Sequence, residues 1–278
     1  MKGIWAAFVA LELATTGCTT NPRPVAPAIL PAVERSSAVI LHGKSLELHL
    51  SAPQGGQTAN ALVLYASGDG GWFGAAVDMF HRIGGAGYYT VGFSAKAFLK
   101  IDRQPDTPMN PEQLAAEYEQ ILDTARRELR LQSGTEVVLT GWSRGAAFAV
   151  LAASAHGAPR GVRGVLAIGL SEGEDLAIDG PADESDEGTA AETHNYWPFE
   201  PYALMALLPF RCAVIQATRD NYLAAARART LFGSDTGKRR LYAIDARNHR
   251  FSGGKDAFDR ALLDGLGWIW SGVRPPES

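Results

Sequence analysis

From residue 37 onward the chain alternates between two hydrophobic rhythms. Short apolar runs at Ala38–Leu41, Ser45–Leu50, Ala61–Tyr65, Tyr88–Phe93, Glu136–Thr140, Val165–Leu170, Cys212–Ala217 and Arg240–Ile244 read as strands. The first two flank His42-Gly43-Lys44, the signature of an opening hairpin. Between the later runs lie stretches of helical period. Gly74–Arg82 is one, and a helix starting near Asn221 is another. Asn110 is placed to cap a third, with Pro111 at its first position, and Leu114, Tyr118, Ile121, Leu122, Ala125 and Leu129 form its apolar stripe. Ser143–Ala155 is apolar nearly all round, which predicts a buried helix. A closing helix carries Phe258, Ala261, Leu262, Leu266 and Ile269 on one side. Short apolar strands alternating with helices predict a mostly parallel sheet covered on both faces. About eight strands, an opening hairpin and this order match the α/β-hydrolase plan over residues 37–278. Residues 171–209, after the sixth strand, are too long for a simple crossover and read as an insertion.

The first 36 residues follow another pattern. Met1–Thr20 has a single basic residue, Lys2, ahead of an apolar stretch too short to span a bilayer comfortably, and reads as an export signal. Small residues Thr15, Thr16 and Gly17 precede Cys18, similar to the bacterial lipoprotein cleavage pattern in which the cysteine becomes lipidated. Thr15 stands where that pattern usually has Leu. Glu12 places a charge in the apolar run, at a cost of about 2.5–3.5 kcal/mol for a helix centre. An amphipathic N-terminal helix on a cytosolic protein is the alternative. Pro22, Pro24, Pro27 and Pro31 make residues 21–36 an extended linker. The expected location is therefore periplasmic, with Cys18 as the candidate lipid anchor.

Composition narrows the chemistry. At 278 residues and 46% hydrophobic content the chain can form a core without metal or disulfide support. Two cysteines, Cys18 and Cys212, exclude a disulfide framework and a cysteine zinc site. A net charge of −4 gives no global basic field for nucleic acid. No Lys or Arg occurs between Arg163 and Arg211, a span holding ten acids, so the insertion is locally acidic. Its ligand spacing does not fit a regular calcium loop, and no metal or cofactor is expected.

Gly141-Trp142-Ser143-Arg144-Gly145 lies between a strand and the buried helix, where a nucleophile elbow belongs. The turn is so sharp that a Cβ at either glycine would strike a neighbouring strand or helix. Ser143 is the candidate nucleophile, against an incidental serine in a glycine-bounded turn. A nucleophilic serine needs a base oriented by an acid, and this fold runs Ser, acid, His. His194 and His249 follow Ser143. His249 sits beyond the last strand, where the fold presents its base, whereas His194 lies in the insertion. Asp220 ends the penultimate strand and is the candidate acid; the alternative is a helix cap, with Glu172 or Glu174 as rival acids. The second oxyanion donor is expected from Ala66–Trp72, with the Asp69 N–H first and Gly68 next, beside the N–H of Arg144. Gly68, Trp72 and Trp142 are candidate substrate contacts. Trp72 is open between that role and plain packing.

The run Ser67-Gly-Asp-Gly-Gly-Trp72 resembles the loop that marks the bacterial VirJ/AcvB family. Pro111-Glu112-Gln113 before an acidic amphipathic helix and the Gly141–Ala146 elbow are similar too, so the resemblance covers roughly residues 60–255. It implies an envelope-attached α/β-hydrolase linked to virulence and type IV secretion. It also implies hydrolysis of aminoacyl-phosphatidylglycerol, notably the lysyl ester, with Ser143, Asp220 and His249 in the triad positions and Asp69 in the oxyanion loop. Trp142 and Arg144 depart from the Tyr and Phe usual around the family's serine. The expected partner is thus a lipid or small-molecule ester. The alternatives are a periplasmic binding module docked to a secretion-system protein, or a generic carboxylesterase.

Overall fold

A computed structural model describes residues 32–53, 61–101, 109–174 and 199–272. Cys18, the export signal, the proline-rich positions, His194 and most of the acidic insertion lie outside the described residues.

Eight strands form one sheet in the order β1-β2-β4-β3-β5-β6-β7-β8. β1 (Ala32–Leu41) and β2 (Lys44–Pro53) make the antiparallel hairpin, and β2 also pairs antiparallel with β4 (Tyr89–Phe93). β3 (Ala61–Ala66), β5 (Glu136–Trp142), β6 (Val162–Ile168), β7 (Arg211–Ala217) and β8 (Arg239–Ile244) run parallel. The hairpin turn places His42 and Gly43 at φ 49° and 77°, the left-handed pair that matches strand twist in a two-residue turn.

Each central strand is buried on both faces, so alternate side chains serve different cores. In β3, Leu62, Leu64 and Ala66 join one cluster and Val63 and Tyr65 the other. The first cluster is closed by α3 (Pro111–Leu129), α4 (Arg144–Ser154), α5 (Pro201–Leu207) and α6 (Ala225–Phe232). The second is closed by α1 (Ala75–Gly85) and α7 (Lys255–Trp270). Asn110 caps α3 as expected, its Oδ1 accepting the Glu112 N–H at 2.8 Å. Every residue of α4 from Gly145 to Ala153 is buried.

Three features differ from the sequence reading. β1 begins at Ala32, not beyond residue 36: Ala32–Ser36, expected in the linker, pair with Pro53–His49. These residues are largely exposed and owe their strand to backbone pairing at a sheet edge, which leaves no hydrophobic alternation to read. Helix α6 starts at Ala225 rather than near Asn221, because the intervening loop is folded around Asp220. Two short helices had no periodic signal: α5, and α2 (Ala95–Leu99), which is capped by Ser94.

Candidate active site

Loops at the carboxyl ends of the parallel strands converge on Ser143. The chain leaves β5 and enters α4 with Ser143 between them at φ 57°, ψ −125°, strained for a residue with a side chain. The turn is held by Ser143 N–H donating to Ile168 O at 2.9 Å and by Ala146 N–H donating to Ser143 O at 2.8 Å. Both elbow glycines are sterically required. A Cβ on Gly141 would run into the backbone of Gly145 and Ala146, and one on Gly145 into the Ala66 and Ser67 carbonyls. The expected elbow geometry is present, with the N-terminus of α4 beside the serine.

Asp220 and His249 meet. His249 Nδ1 lies 2.7 Å from Asp220 Oδ2, although the two are 29 residues apart. The Asp220 side chain is fully buried and that of His249 nearly so. A carboxylate only accepts, so Nδ1 carries the proton and Nε2 is the basic nitrogen. Nε2 is itself buried and has no hydrogen-bond partner among the described residues. Asp220 Oδ2 also accepts from Gln216 Nε2 at 3.2 Å, and Oδ1 accepts the Tyr222 N–H at 2.9 Å. The carboxylate thus caps the following turn and holds the imidazole at once. Of the rival acids, Glu172 pairs with Arg227 on the surface, while Glu174 lies at the mouth.

His249 is carried by the loop after β8 and is fixed from below by Trp142. The two rings stack at 5.4 Å, and Trp142 Nε1–H donates to the His249 carbonyl at 3.2 Å. Gly169 leaves room for this packing: a Cβ there would come within 2.7 Å of His249 Cε1. Trp142, expected as a substrate contact, is buried behind the histidine and positions it. Trp72 resolves toward packing. Its ring stacks on His49 at 4.1 Å and 3°, meets Phe80 edge-on at 5.1 Å, and fills the space a Cβ on Gly92 would need. It is packed against the sheet and partly buried there.

The glycine-rich loop after β3 comes against the elbow. A Cβ on Gly68 would sit 3.2 Å from Ser143 Cβ and 3.3 Å from Trp142 O, so Gly68 permits the approach. Ser67 anchors the loop: its N–H donates to Phe93 O at 3.1 Å, and its Oγ accepts from Ala95 N–H at 3.2 Å. Asp69 and Arg144, expected to contribute backbone N–H groups, also meet through their side chains, Nε to Oδ1 at 2.6 Å. Glu174 Oε2 lies 3.9 Å from the same Nε. Burial pushes the Glu174 carboxyl above the usual range, opposed by a Ser171 hydrogen bond and the Arg144 charge.

Two residues at the site carried no sequence signal. Gln216 is one inward position of a strand, yet it braces Asp220 and the Leu223 carbonyl. Tyr222 packs edge-on against His249 at 4.8 Å and stays 68% exposed, so its outer face lines the entrance.

Residues 60–183 match the family model described as bacterial virulence protein (VirJ). Over those residues the chain is similar to the VirJ family. The VirJ segment contains the glycine-rich loop and the elbow but ends before Asp220 and His249. Comparison with curated proteins finds no match. Among solved structures, the esterase domain of a Rhodothermus marinus protein aligns with TM-score 0.55 and 16% identity, covering 86% of this chain and 98% of that one. A dienelactone hydrolase from Anabaena variabilis gives 0.57 and 18%, covering 87% and 99%. Est1E from Butyrivibrio proteoclasticus gives 0.57 and 11%, covering 85% and 99%. These likenesses show the α/β-hydrolase fold for this chain, as its strand order predicted.

Proposed function

We propose that the chain is a serine hydrolase that cleaves an ester through Ser143, His249 and Asp220. The observation that carries the reading is the buried Asp220–His249 hydrogen bond, which leaves Nε2 as a base without a partner among the described residues, in the loop packed behind the elbow. Ser143 Oγ attacks the ester carbonyl while His249 Nε2 takes its proton. The carbonyl oxygen becomes an oxyanion that accepts from the N–H groups of Asp69 and Arg144. Collapse breaks the bond to the alcohol, which leaves with the proton from His249. Water then repeats the sequence on the acyl-enzyme and releases the acid. Asp220 holds the imidazole tautomer throughout. The esterases and dienelactone hydrolases of similar fold favour this chemistry.

The similarity to VirJ suggests the finer reading, an exported and Cys18-anchored enzyme acting on aminoacyl-phosphatidylglycerol, with the lysyl ester preferred. The acidic span after β6 would favour a cationic acyl group by long-range attraction. The test is fluorophosphonate labelling of the full chain, wild type beside Ser143→Ala, followed by hydrolysis of lysyl- and alanyl-phosphatidylglycerol vesicles and a p-nitrophenyl ester. Labelling confined to wild type is expected, with Ser143→Ala lowering the rate about 10³–10⁶-fold. A folded wild type that does not label overturns the hydrolase reading in favour of a binding module that docks a secretion-system protein. Labelling with equal rates on the two lipids removes only the lysyl preference.

A further inference from the structure

The loop that carries Asp69 is poor in intrinsic stiffness. Gly68, Gly70, Gly71 and Gly74 fall within it, and Gly71 and Gly74 sit at φ 84° and 52°. Such a segment loses more conformational entropy on ordering than any other composition. Its backbone ties lead away from the nucleophile: Ser67 is bound to Phe93 and Ala95, and the Gly71 N–H closes a local turn on Gly68 O. An oxyanion donor, by contrast, has to be held in place before the charge develops, and a displacement of about 1 Å costs about 10²-fold in rate. The Asp69 and Arg144 side chains supply a tie in the missing direction. Arg144 Nε stands 2.6 Å from Asp69 Oδ1, an ion pair between elbow and loop that lacks the alignment of a hydrogen bond.

We propose that the Asp69–Arg144 side-chain bridge is a positioning device that fixes the spacing of the two backbone oxyanion donors, and that Glu174 confines the arginine to it. This rests on the hydrolase reading above. The two residues whose N–H groups would face the oxyanion are the same two whose side chains meet. The Arg144 side chain is 19% exposed and that of Asp69 59%, so the pair is screened from the Asp69 side and acts by placing the loop rather than by a large contribution to stability. Glu174, whose side chain is 10% exposed, lies 3.9 Å from the same Nε. It lies in the short bridge Glu174–Phe199 that closes the base of the insertion, so the arginine also joins the elbow to that base. Each substitution that removes one of these side chains keeps its backbone N–H, which separates positioning from donation.

The experiment compares wild type, Arg144→Gln, Asp69→Asn, the double variant and Arg144→Lys in the full chain. The readouts are the second-order rate of fluorophosphonate labelling, kcat and KM on a p-nitrophenyl ester, and Tm. The expected result is a 10- to 100-fold loss of labelling rate and kcat in each single variant, with KM within about twofold. The double variant should be no worse than the poorer single one, because one bridge is lost only once. Arg144→Lys, which keeps the charge, should recover part of the loss and serves where the glutamine variant fails to fold. Wild-type labelling and kcat in folded Arg144→Gln and Asp69→Asn overturn the proposal, as do multiplying losses in the double variant or a change confined to KM. Failure of wild type itself to label would instead overturn the hydrolase reading.

Discussion

Asp220 divides its two oxygens between local and distant tasks: Oδ1 accepts the N–H of Tyr222 just beyond it, and Oδ2 holds His249. The sequence offered capping and catalysis as alternatives for this residue, and the structure gives it both contacts. Trp142 shows similar economy, since its ring supports the imidazole while its N–H secures the backbone that carries it. Trp142→Phe keeps an aromatic face but removes the donor and half of the indole, leaving a buried carbonyl without that partner. The expected outcome is a loss of about 1 kcal/mol in stability and a several-fold lower kcat with KM unchanged, checked by urea titration and steady-state kinetics.

At the scale of elements, the elbow is where two secondary structures approach too closely for any side chain. Gly145 lies against the carbonyls that end β3, so α4 can begin directly over the strand. Gly145→Ala forces a Cβ against the Ala66 and Ser67 carbonyls, and overpacking of this kind costs about 1–3 kcal/mol or more. The Tm should fall by roughly 5–10 °C, with activity lost as α4 shifts away from β3. Gly43 makes the contrast, because its φ is 77° yet a Cβ would meet nothing within 4 Å. Gly43→Ala should cost only the backbone strain, about 1 kcal/mol, and leave activity intact. Differential scanning calorimetry of the two variants separates steric from conformational need.

At the scale of the molecule, the two-faced core buries ionisable groups that resist alkaline ionisation. Burial pushes the Cys212 thiol up to about 12 from 9.0 and drives the Tyr65 hydroxyl higher still. Tyr118 and Tyr202 are raised by the same cause, burial. In the unfolded chain these groups lose protons near pH 9–10, while in the folded chain they keep them. Rising pH therefore favours the unfolded state over that window, and stability present below pH 9 is lost above it. Thermal melts from pH 8 to 11 should show a falling Tm. Tyr65→Phe should flatten that fall. At pH 7 it should leave stability equal or slightly higher, because the Tyr65 hydroxyl is buried without a hydrogen-bond partner among the described residues.

The hydrophobic rhythm by itself determined the number, order and type of the strands, since burial on both faces demands continuous apolar runs and the connecting helices demand a stripe. Glycines flanking Ser143 determined the elbow, because a Cβ at either position would meet backbone atoms. The order of serine, aspartate and histidine followed from where the strands end. The tertiary structure alone decided the rest. It turned Trp72 into the sheet and set Trp142 beneath an imidazole 107 residues away. It made Ala32–Ser36 a strand through an edge pairing that needs no pattern. It also brought Asp69 onto Arg144 and Gln216 onto Asp220. Periodicity reports what a residue shares with neighbours a few positions away. The direction of a side chain in a site depends on atoms that only the closed sheet brings within reach.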